Sequence, residues 1–266
     1  MMQTILDLET TYSRKDGAIG WIVLNRPKKL NAMNKQMQAD IIACLDAFRA
    51  DREVRVVIIK GEGDRALCAG ADINDWKGTT AVERWRYDKL HARRSFEEME
   101  AFPKPIICQI HGHAVGGGGE LLLAADIRIA AEDAVIGLTE LRFGMIPGAG
   151  GTQRLARLVG EGQAMRLVLT ADPISGTEAG RIGLVEFVVP RAELEARTLA
   201  LAQSIARRAP IALEAAKELI KAAAKNTLQG GLMHEIALST LCFATEDKEE
   251  AVNAFMEKRE PTFHAR

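Results

Sequence analysis

The sequence has 266 residues, 47% of them hydrophobic and 27% charged, with 35 Lys and Arg against 36 Asp and Glu. That length suits one principal core with at most a small appendage, and the composition excludes a disordered or fibrous chain. A formal charge of −1 gives no net basic surface for nucleic acid or an anionic membrane, which require cations to displace counterions or reach phosphates.

The N-terminal stretch to Thr11 carries Asp7 and Glu9 and has neither the basic n-region nor the apolar h-region of a signal peptide. No apolar run is long enough to span a bilayer, so the expected setting is the cytoplasm, or an organelle matrix if a presequence has been removed. Ile19 to Leu24 is an apolar run closed by Asn25-Arg26-Pro27, where proline's missing donor ends a strand. Asn34 can cap a helix whose Met37, Ile41, Ile42, Leu45 and Phe48 recur at helical spacing to about Ala50. Val54 to Lys60 reads as a buried strand, and Gly61 to Asp64 as the turn out of it.

Asp75 to Ala101 patterns as a charged helix stopped by Pro103 and Pro105, and Ile106 to Ile110 as a strand. Gly112 to Gly119 is then a glycine-rich turn, Glu120 to Ala125 the start of a helix, and Ile127 to Ala130 another strand. This alternation closes with Val185 to Val189, and beyond Pro190 only helical patterning remains, at 191–208, 210–225, 228–244 and 247–258. The expected architecture is an α/β core over 1–190 and a helical C-terminal segment over 191–266, whose apolar faces pack on the core or on another subunit. Cys44, Cys68, Cys108 and Cys242 form no close pair, sit among apolar neighbours and read as reduced, buried thiols.

Three glycine-rich segments compete for the role of a site. Gly61-Glu62-Gly63-Asp64-Arg65-Ala66 has the letters of a dinucleotide fingerprint, but that fingerprint needs a helix opening at its second glycine. Here Asp64 would set a carboxylate against the pyrophosphate, and Gly70 falls where the helix interior would be. Gly112 to Glu120 lacks the Gly-Lys-Ser/Thr ending of a phosphate loop and hence its cation. It offers instead a backbone free of side chains at a helix N-terminus, where unpaired N–H groups and the helix dipole can hold a developing oxyanion. Tight backbone packing is the alternative use of such glycines. The third segment places Glu140 in the apolar run at 138–141, followed by Phe143 through Arg154 with a helix beginning near Gly151. Apolar surroundings would raise the pKa of Glu140 and suit proton transfer, whereas a solvated acid paired with Arg142 is the alternative. Glu120 and Glu140 together are two carboxylates on separate loops, the arrangement that orients one water and moves its proton.

His111 and His113 would share a face if both lay on a strand, but no third ligand accompanies them at recognisable spacing. No metal site is expected there, and side chains that steady a turn are. Lys217, Lys221 and Lys225 form a stripe interleaved by Glu214 and Glu218, a solvated helix face with ordinary ion pairs rather than an RNA surface. Trp76, Trp85, Tyr87 and Phe96 are candidates for helix packing or for the wall of a pocket.

Taken in order, Cys68-Ala69-Gly70-Ala71-Asp72-Ile73, Gly112 through Glu120 and Glu140 through Arg154 resemble the crotonase superfamily, most closely its enoyl-CoA hydratases. Leu24-Asn25-Arg26-Pro27-Lys28, Leu169-Thr170, Ala179 through Val185 and Phe255-Met256-Glu257-Lys258-Arg259 extend the resemblance over nearly the whole chain. It implies a spiral of repeated ββα turns with C-terminal helices that mediate trimers, often stacked as hexamers. It further implies that the N–H groups of Ala71 and Gly117 form an oxyanion hole for a thioester carbonyl. Glu120 and Glu140 would then add water in syn fashion to a trans-2-enoyl-CoA, giving a 3-hydroxyacyl-CoA without a metal or redox cofactor. The CoA phosphates would lie near Lys28 and, from a neighbouring subunit, Lys258. The main chain around Ala69, Gly70 and Asp72 would receive the adenine, with Ile73 beside it. Ordinary surface charge is the alternative for each lysine.

The sequence departs from the family at His111, usually Asn, at Thr139, often Pro, and at Ala251, usually Gly. Residues 75–101 match least, so acyl chain length and branching stay open. The rival activity within the superfamily is a Δ3,Δ2-enoyl-CoA isomerase, for which one carboxylate at Glu140 would suffice, and the presence of Glu120 favours the hydratase. A dehydrogenase on the same chain is excluded by length and by the failed dinucleotide motif.

Overall fold

The strands are short and their apolar runs nearly continuous, as expected where both faces of a parallel sheet are covered. The computed structural model describes residues 2–88 and 93–266, and among these the strands fall into two sheets. β1 (Gln3–Asp7), β2 (Thr11–Asp16) and β3 (Ile19–Leu24) form an antiparallel meander. The acidic N-terminus, which carries no strand signal of its own, is thus the edge of the large sheet. Next come β4 (Val56–Gly61), β5 (Ala66–Cys68), β6 (Ile106–Ile110), β7 (His113–Val115), β8 (Ile127–Ala131) and β9 (Val135–Gly137), then β10 (Ile174–Ser175) and β11 (Phe187–Val189). The large sheet has the order β1-β2-β3-β4-β6-β8-β11 and is parallel from β3 onward, while the small one has the order β10-β9-β7-β5.

β4, β6 and β8 therefore lie side by side in one sheet, and β5, β7 and β9 lie parallel in the other. Each pair is joined across 62–65, 111–112 or 132–134 and is followed by helix before the chain returns, so the polypeptide winds as repeated ββα turns. This is the spiral implied by the resemblance. It also disposes of the dinucleotide reading, because the strand β5 follows Gly61 and Gly63 where a helix would be needed.

The first helix, α1 (Lys35–Ala50), begins at the expected cap, with Asn34 Oδ1 accepting from the Met37 amide at 2.9 Å. It buries Met37, Ile41, Cys44, Leu45 and Phe48, and a Cβ at Gly20 of β3 would lie only 2.9 Å from the Phe48 ring. The single charged helix expected over Asp75 to Ala101 is instead a short 3-10 turn at Ile73–Trp76, α2 (Ala81–Tyr87) and α3 (Arg94–Ala101). Gly78 adopts φ +76° and Thr80 forms a capping box with Glu83, so the chain must start a new helix there. Residues 89–92, in the middle of that expected helix, lie outside the described residues.

The glycine-rich segment is likewise more than a turn. β7 runs to Val115, Gly116 reverses the chain at φ +56°, and α4 (Gly117–Ala124) starts three residues before Glu120. A Cβ would come within 2.0 Å of the Cys68 carbonyl oxygen at Gly118 and 2.5 Å of the Gly137 carbonyl oxygen at Gly119. Only glycine lets the helix sit this close to β5 and β9.

Two helices follow that glycine-rich loop region, α5 (Gly151–Val159) and α6 (Glu161–Thr170), then α7 (Gly176–Arg181). The C-terminal stretch forms α8 (Leu194–Ala206), α9 (Pro210–Ala223), α10 (Leu228–Phe243) and α11 (Glu246–Glu257). The lysine stripe on α9 does not face solvent throughout. Lys217, its side chain 8% exposed, reaches Asp126 at 2.6 Å, and Lys221 reaches the same carboxylate at 3.1 Å. Asp126 also accepts from the Ile106 amide, so these lysines lock α9 to the start of β6. Cys44, Cys68 and Cys108 are free and buried as expected, but Cys242 on α10 is only half-buried, because α10 buries no residue within this chain. Among the described residues no helix is long and apolar enough to cross a membrane.

The loop between β3 and α1 hangs on Asn31, which is fully buried at φ +55°. Its side chain accepts from the Arg26 amide at 2.9 Å and donates to the carbonyls of Glu62 and Ala66 at 3.0 and 2.9 Å. Replacing it by Ala removes the partners of one buried and two part-buried backbone groups, along with a side chain tolerant of the left-handed region. Asn31→Ala should therefore lower unfolding free energy by roughly 3 kcal/mol in urea titrations, and a loss below about 1 kcal/mol would contradict this account.

Candidate active site

The first wall of the site is backbone. The Met33 amide donates to the Gly70 carbonyl at 2.8 Å, and the Asp72 amide to the Met33 carbonyl at 2.8 Å. The intervening Ala71 N–H takes no part in this ladder. Gly70 makes the bend at φ +105°, where a Cβ would press within 3.2 Å of the Val115 carbonyl oxygen. Beyond it Asp72 is held by Arg26 at 2.9 Å and accepts from the Asn74 amide at 3.2 Å. The Arg26 guanidinium, with the Asn74 bonds, keeps the Asp72 carboxyl below the usual carboxylate range. Segment 69–73 is thus clamped on both sides of Ala71.

The second wall is the N-terminus of α4. Gly117 is its first residue, in the turn whose N–H groups lack intrahelical partners. A Cβ there would stand 3.4 Å from the Ala71 nitrogen, so the start of α4 lies directly beside Ala71. One turn further, Glu120 is 5% exposed, and its Oε1 accepts from the amides of Ala149 at 2.7 Å and Gly151 at 2.9 Å. Burial pushes its pKa up, and the two backbone donors oppose that shift.

Glu140 comes from the third turn of the spiral, just beyond β9, at the head of a 3-10 turn over Glu140–Phe143. Both of its carboxylate oxygens are buried without a hydrogen bond, and a Cβ on Gly116 would lie 3.6 Å from Oε1. Burial, then the charge of Glu120, raises its pKa from 4.5 to about 7. The alternative pairing with Arg142 does not occur, since that guanidinium binds Asp172 at 3.0 Å.

These groups face one cavity of about 150 Å³. Ala69 through Ile73, Gly117, Glu120 and Glu140 all line it, as do Met33, Phe96 and Met145. Trp76 and Phe143 meet edge to face there, centroids 6.2 Å apart. Of the four aromatic candidates Trp76, Tyr87 and Phe96 line the cavity, whereas Trp85 is 61% exposed. Sequence reasoning missed the polar part of the wall. Tyr87 donates to Gln38 at 2.8 Å, and Arg84 pairs with Asp88 at 2.8 Å. It also missed the Ala149 and Gly151 donors, for which the glycine-rich entry to α5 was the available signal.

Lys28 lies in a separate cleft with Pro27, Glu62 and Arg65. Lys258 caps α11 in a left-handed conformation, φ +57°, away from both cavities. His111 and His113 do not share a face: the chain bends at 111–112, so His111 is buried with Nε2 unbonded while His113, on β7, is exposed. Among the described residues no cluster of His, Cys, Asp and Glu could hold a metal ion.

A family profile described as enoyl-CoA hydratase/isomerase matches residues 14–266. A probable mitochondrial enoyl-CoA hydratase of Dictyostelium discoideum is 40% identical over 96% of this chain and 91% of its own length. A probable enoyl-CoA hydratase of Bacillus subtilis is 42% identical over 88% of this chain and 90% of its own. The crystal structure of an enoyl-CoA hydratase from Bacillus anthracis superposes with a TM-score of 0.93 at 39% identity, covering 97% of this chain and all of that one.

The raised pKa of Glu140 has a consequence for stability. A carboxyl that titrates near 7 when folded but near 4.5 when free disfavours folding in its ionised form. That cost is absent below about pH 4.5, grows as pH rises towards 7, and is complete above it. Glu140→Gln should therefore stabilise the protein relative to wild type at pH 8 and lose that advantage at pH 4.5. Thermal midpoints compared at the two pH values check this, and a pH-independent difference would contradict it.

Proposed function

Because the chain belongs to the enoyl-CoA hydratase/isomerase family and is an enoyl-CoA hydratase, we propose that it adds water in syn fashion to a trans-2-enoyl-CoA, with Glu120 and Glu140 as the proton-transfer pair. The thioester carbonyl lies between the Ala71 and Gly117 N–H groups, which stabilise the enolate oxygen as charge develops on it. Water held by the two carboxylates loses a proton to Glu120 as its oxygen bonds to C3, and C2 takes a proton from Glu140. One C=C bond is lost, a C–O and a C–H bond form, and the proton on Glu120 passes back to Glu140 before the next cycle. No metal or redox group enters this scheme, because the thioester itself acidifies C2.

The observation that carries this reading is the divergence of two carboxyls facing one cavity. Glu120 has an oxygen fixed by two backbone donors, which oppose the upward push of burial on its pKa. Glu140 has no donors and titrates near 7, so a large share of it is protonated at neutral pH. Burial raises both carboxyls, so what tells them apart is the donor pair on Glu120, which gives it the part of the oriented base and leaves Glu140 the proton donor. Met33, Phe96 and Met145 in the cavity wall give it the apolar lining that an acyl chain requires.

CoA would extend from this cavity along the main chain of Ala69, Gly70, Asp72 and Ile73, with Lys28 at its phosphates. Lys258 would serve the same function from a neighbouring subunit. Exposed Leu228, Leu232, Ile236 and Phe243 on α10, with Phe255 and Met256 on α11, fit a subunit interface, so residues 191–266 complete a trimer or a dimer of trimers. Free, buried Cys44, Cys68 and Cys108 suit a reducing compartment such as the cytoplasm or an organelle matrix.

Crotonyl-CoA hydration, followed as loss of the enoyl-thioester absorbance, should fall by roughly 10²- to 10⁴-fold in Glu120→Gln and in Glu140→Gln, with affinity for butyryl-CoA nearly unchanged. Near-normal turnover in either variant would end the two-carboxylate scheme. Gly117→Pro, which deletes a donor, should abolish turnover. Sedimentation equilibrium should give a multiple of three chains, and a monomer would refute the assembly.

A further inference from the structure

Glu120 is held by the amides of Ala149 and Gly151, which lie in a segment with glycine at 148, 150 and 151, entering α5. A chain so rich in glycine does not by itself hold two N–H groups in fixed directions. Arg154, in the first turn of α5, supplies the restraint. Its Nη1 donates to the Ala149 carbonyl at 2.7 Å, while Nε and Nη2 donate to the two oxygens of Glu100 at 2.9 and 2.7 Å. The side chain is 15% exposed. Gly150 makes room for it: a Cβ there would lie 2.0 Å from Nη1. Glu100 stands on α3, which also carries Phe96 of the cavity wall.

We infer that Arg154 is a positioning residue for hydration, fixing through the Ala149 carbonyl the amides that aim the Glu120 carboxylate, with Glu100 orienting its guanidinium. This rests on the reading of Glu120 as the group that takes the proton from water. The planar fork is what the geometry demands, since three coplanar N–H groups address one carboxylate and one carbonyl at once. Lysine keeps the charge and loses that fork. The guanidinium also acts on Glu120 through its charge, opposing the upward push of burial on that carboxyl, and Arg154→Lys keeps this charge while removing the fork.

The test is steady-state hydration of crotonyl-CoA by Arg154→Lys and Glu100→Gln, alone and in the Glu120→Gln background. A residue acting only through Glu120 should lower kcat by roughly 10- to 100-fold with KM and butyryl-CoA affinity within about twofold of wild type. In Glu120→Gln, at high enzyme concentration, the same substitution should lower the residual rate no further, because groups that act as one unit are not additive. Glu100→Gln keeps the test available should Arg154→Lys fold poorly, as judged by its thermal midpoint. A wild-type kcat in both variants, with Glu120→Gln inactive, would overturn the inference and leave the reading of Glu120 standing. Equal losses in both backgrounds would also overturn it, assigning Arg154 to the fold. Near-normal turnover in Glu120→Gln itself would instead remove the reading of Glu120, and the inference with it.

Discussion

A carboxylate taken out of water either finds compensating donors or takes up a proton. Burial raises the pKa of both Glu120 and Glu140, but only Glu120 has donors that oppose the shift. Glu120 sits deeper, yet two backbone amides reach it from a loop distant in sequence. Glu140 is less enclosed and has no donor, and its neighbour's charge adds to the cost of ionising it. The pair works only while the segment before α5 stays against α4, so the packing of that segment matters to the chemistry as much as either glutamate does.

Close approach is the second constraint, and glycine meets it at both edges of α4. Gly118 and Gly119 let the helix touch the backbone of β5 and β9, and Gly117 leaves its own amide open beside that of Ala71. The two explanations for the glycine run, tight packing and an exposed donor, therefore apply to different residues of the same helix turn. Gly151 extends the principle, since a Cβ there would crowd the Glu120 side chain at 3.1 Å.

Much of this could be read in the sequence where the signal is local. The Asn34 cap and the spacing from Met37 to Phe48 define α1, and Glu120 and Glu140 stand out as acids in apolar surroundings. What escaped depends on partners far along the chain. β5, β7 and β9 are three residues each, too short for alternation to register, and they exist because each pairs with the next turn of the spiral. β1 at the edge of the large sheet and β2 beside it are strands by their pairing rather than by their composition. Lys217 looked like a solvated residue because the Asp126 that buries it is ninety-one positions away (217 − 126). The methyl group of Ala149 does not advertise the amide it offers, and the charge of Arg154 is one that many surface residues carry.

The order of the strands has a further consequence. Ala71 follows β5, Gly117 follows β7 and Glu140 follows β9, so the three contributions leave the same edge of the small sheet as consecutive rungs, spaced by the ~4.8 Å between paired strands. After the first and the third rung the chain makes long excursions, 72–105 and 141–173, and these supply Trp76, Arg84, Phe96 and Phe143 to the cavity wall. Strand pairing registers the rungs, so the parts of the excursions that touch neither Glu120 nor Arg154 can change without shifting them, whereas 149–154 and Glu100 hold Glu120 in place and cannot. Substrate choice can thereby drift along most of each excursion, while the few residues that hold Glu120 tie the remainder to reactivity.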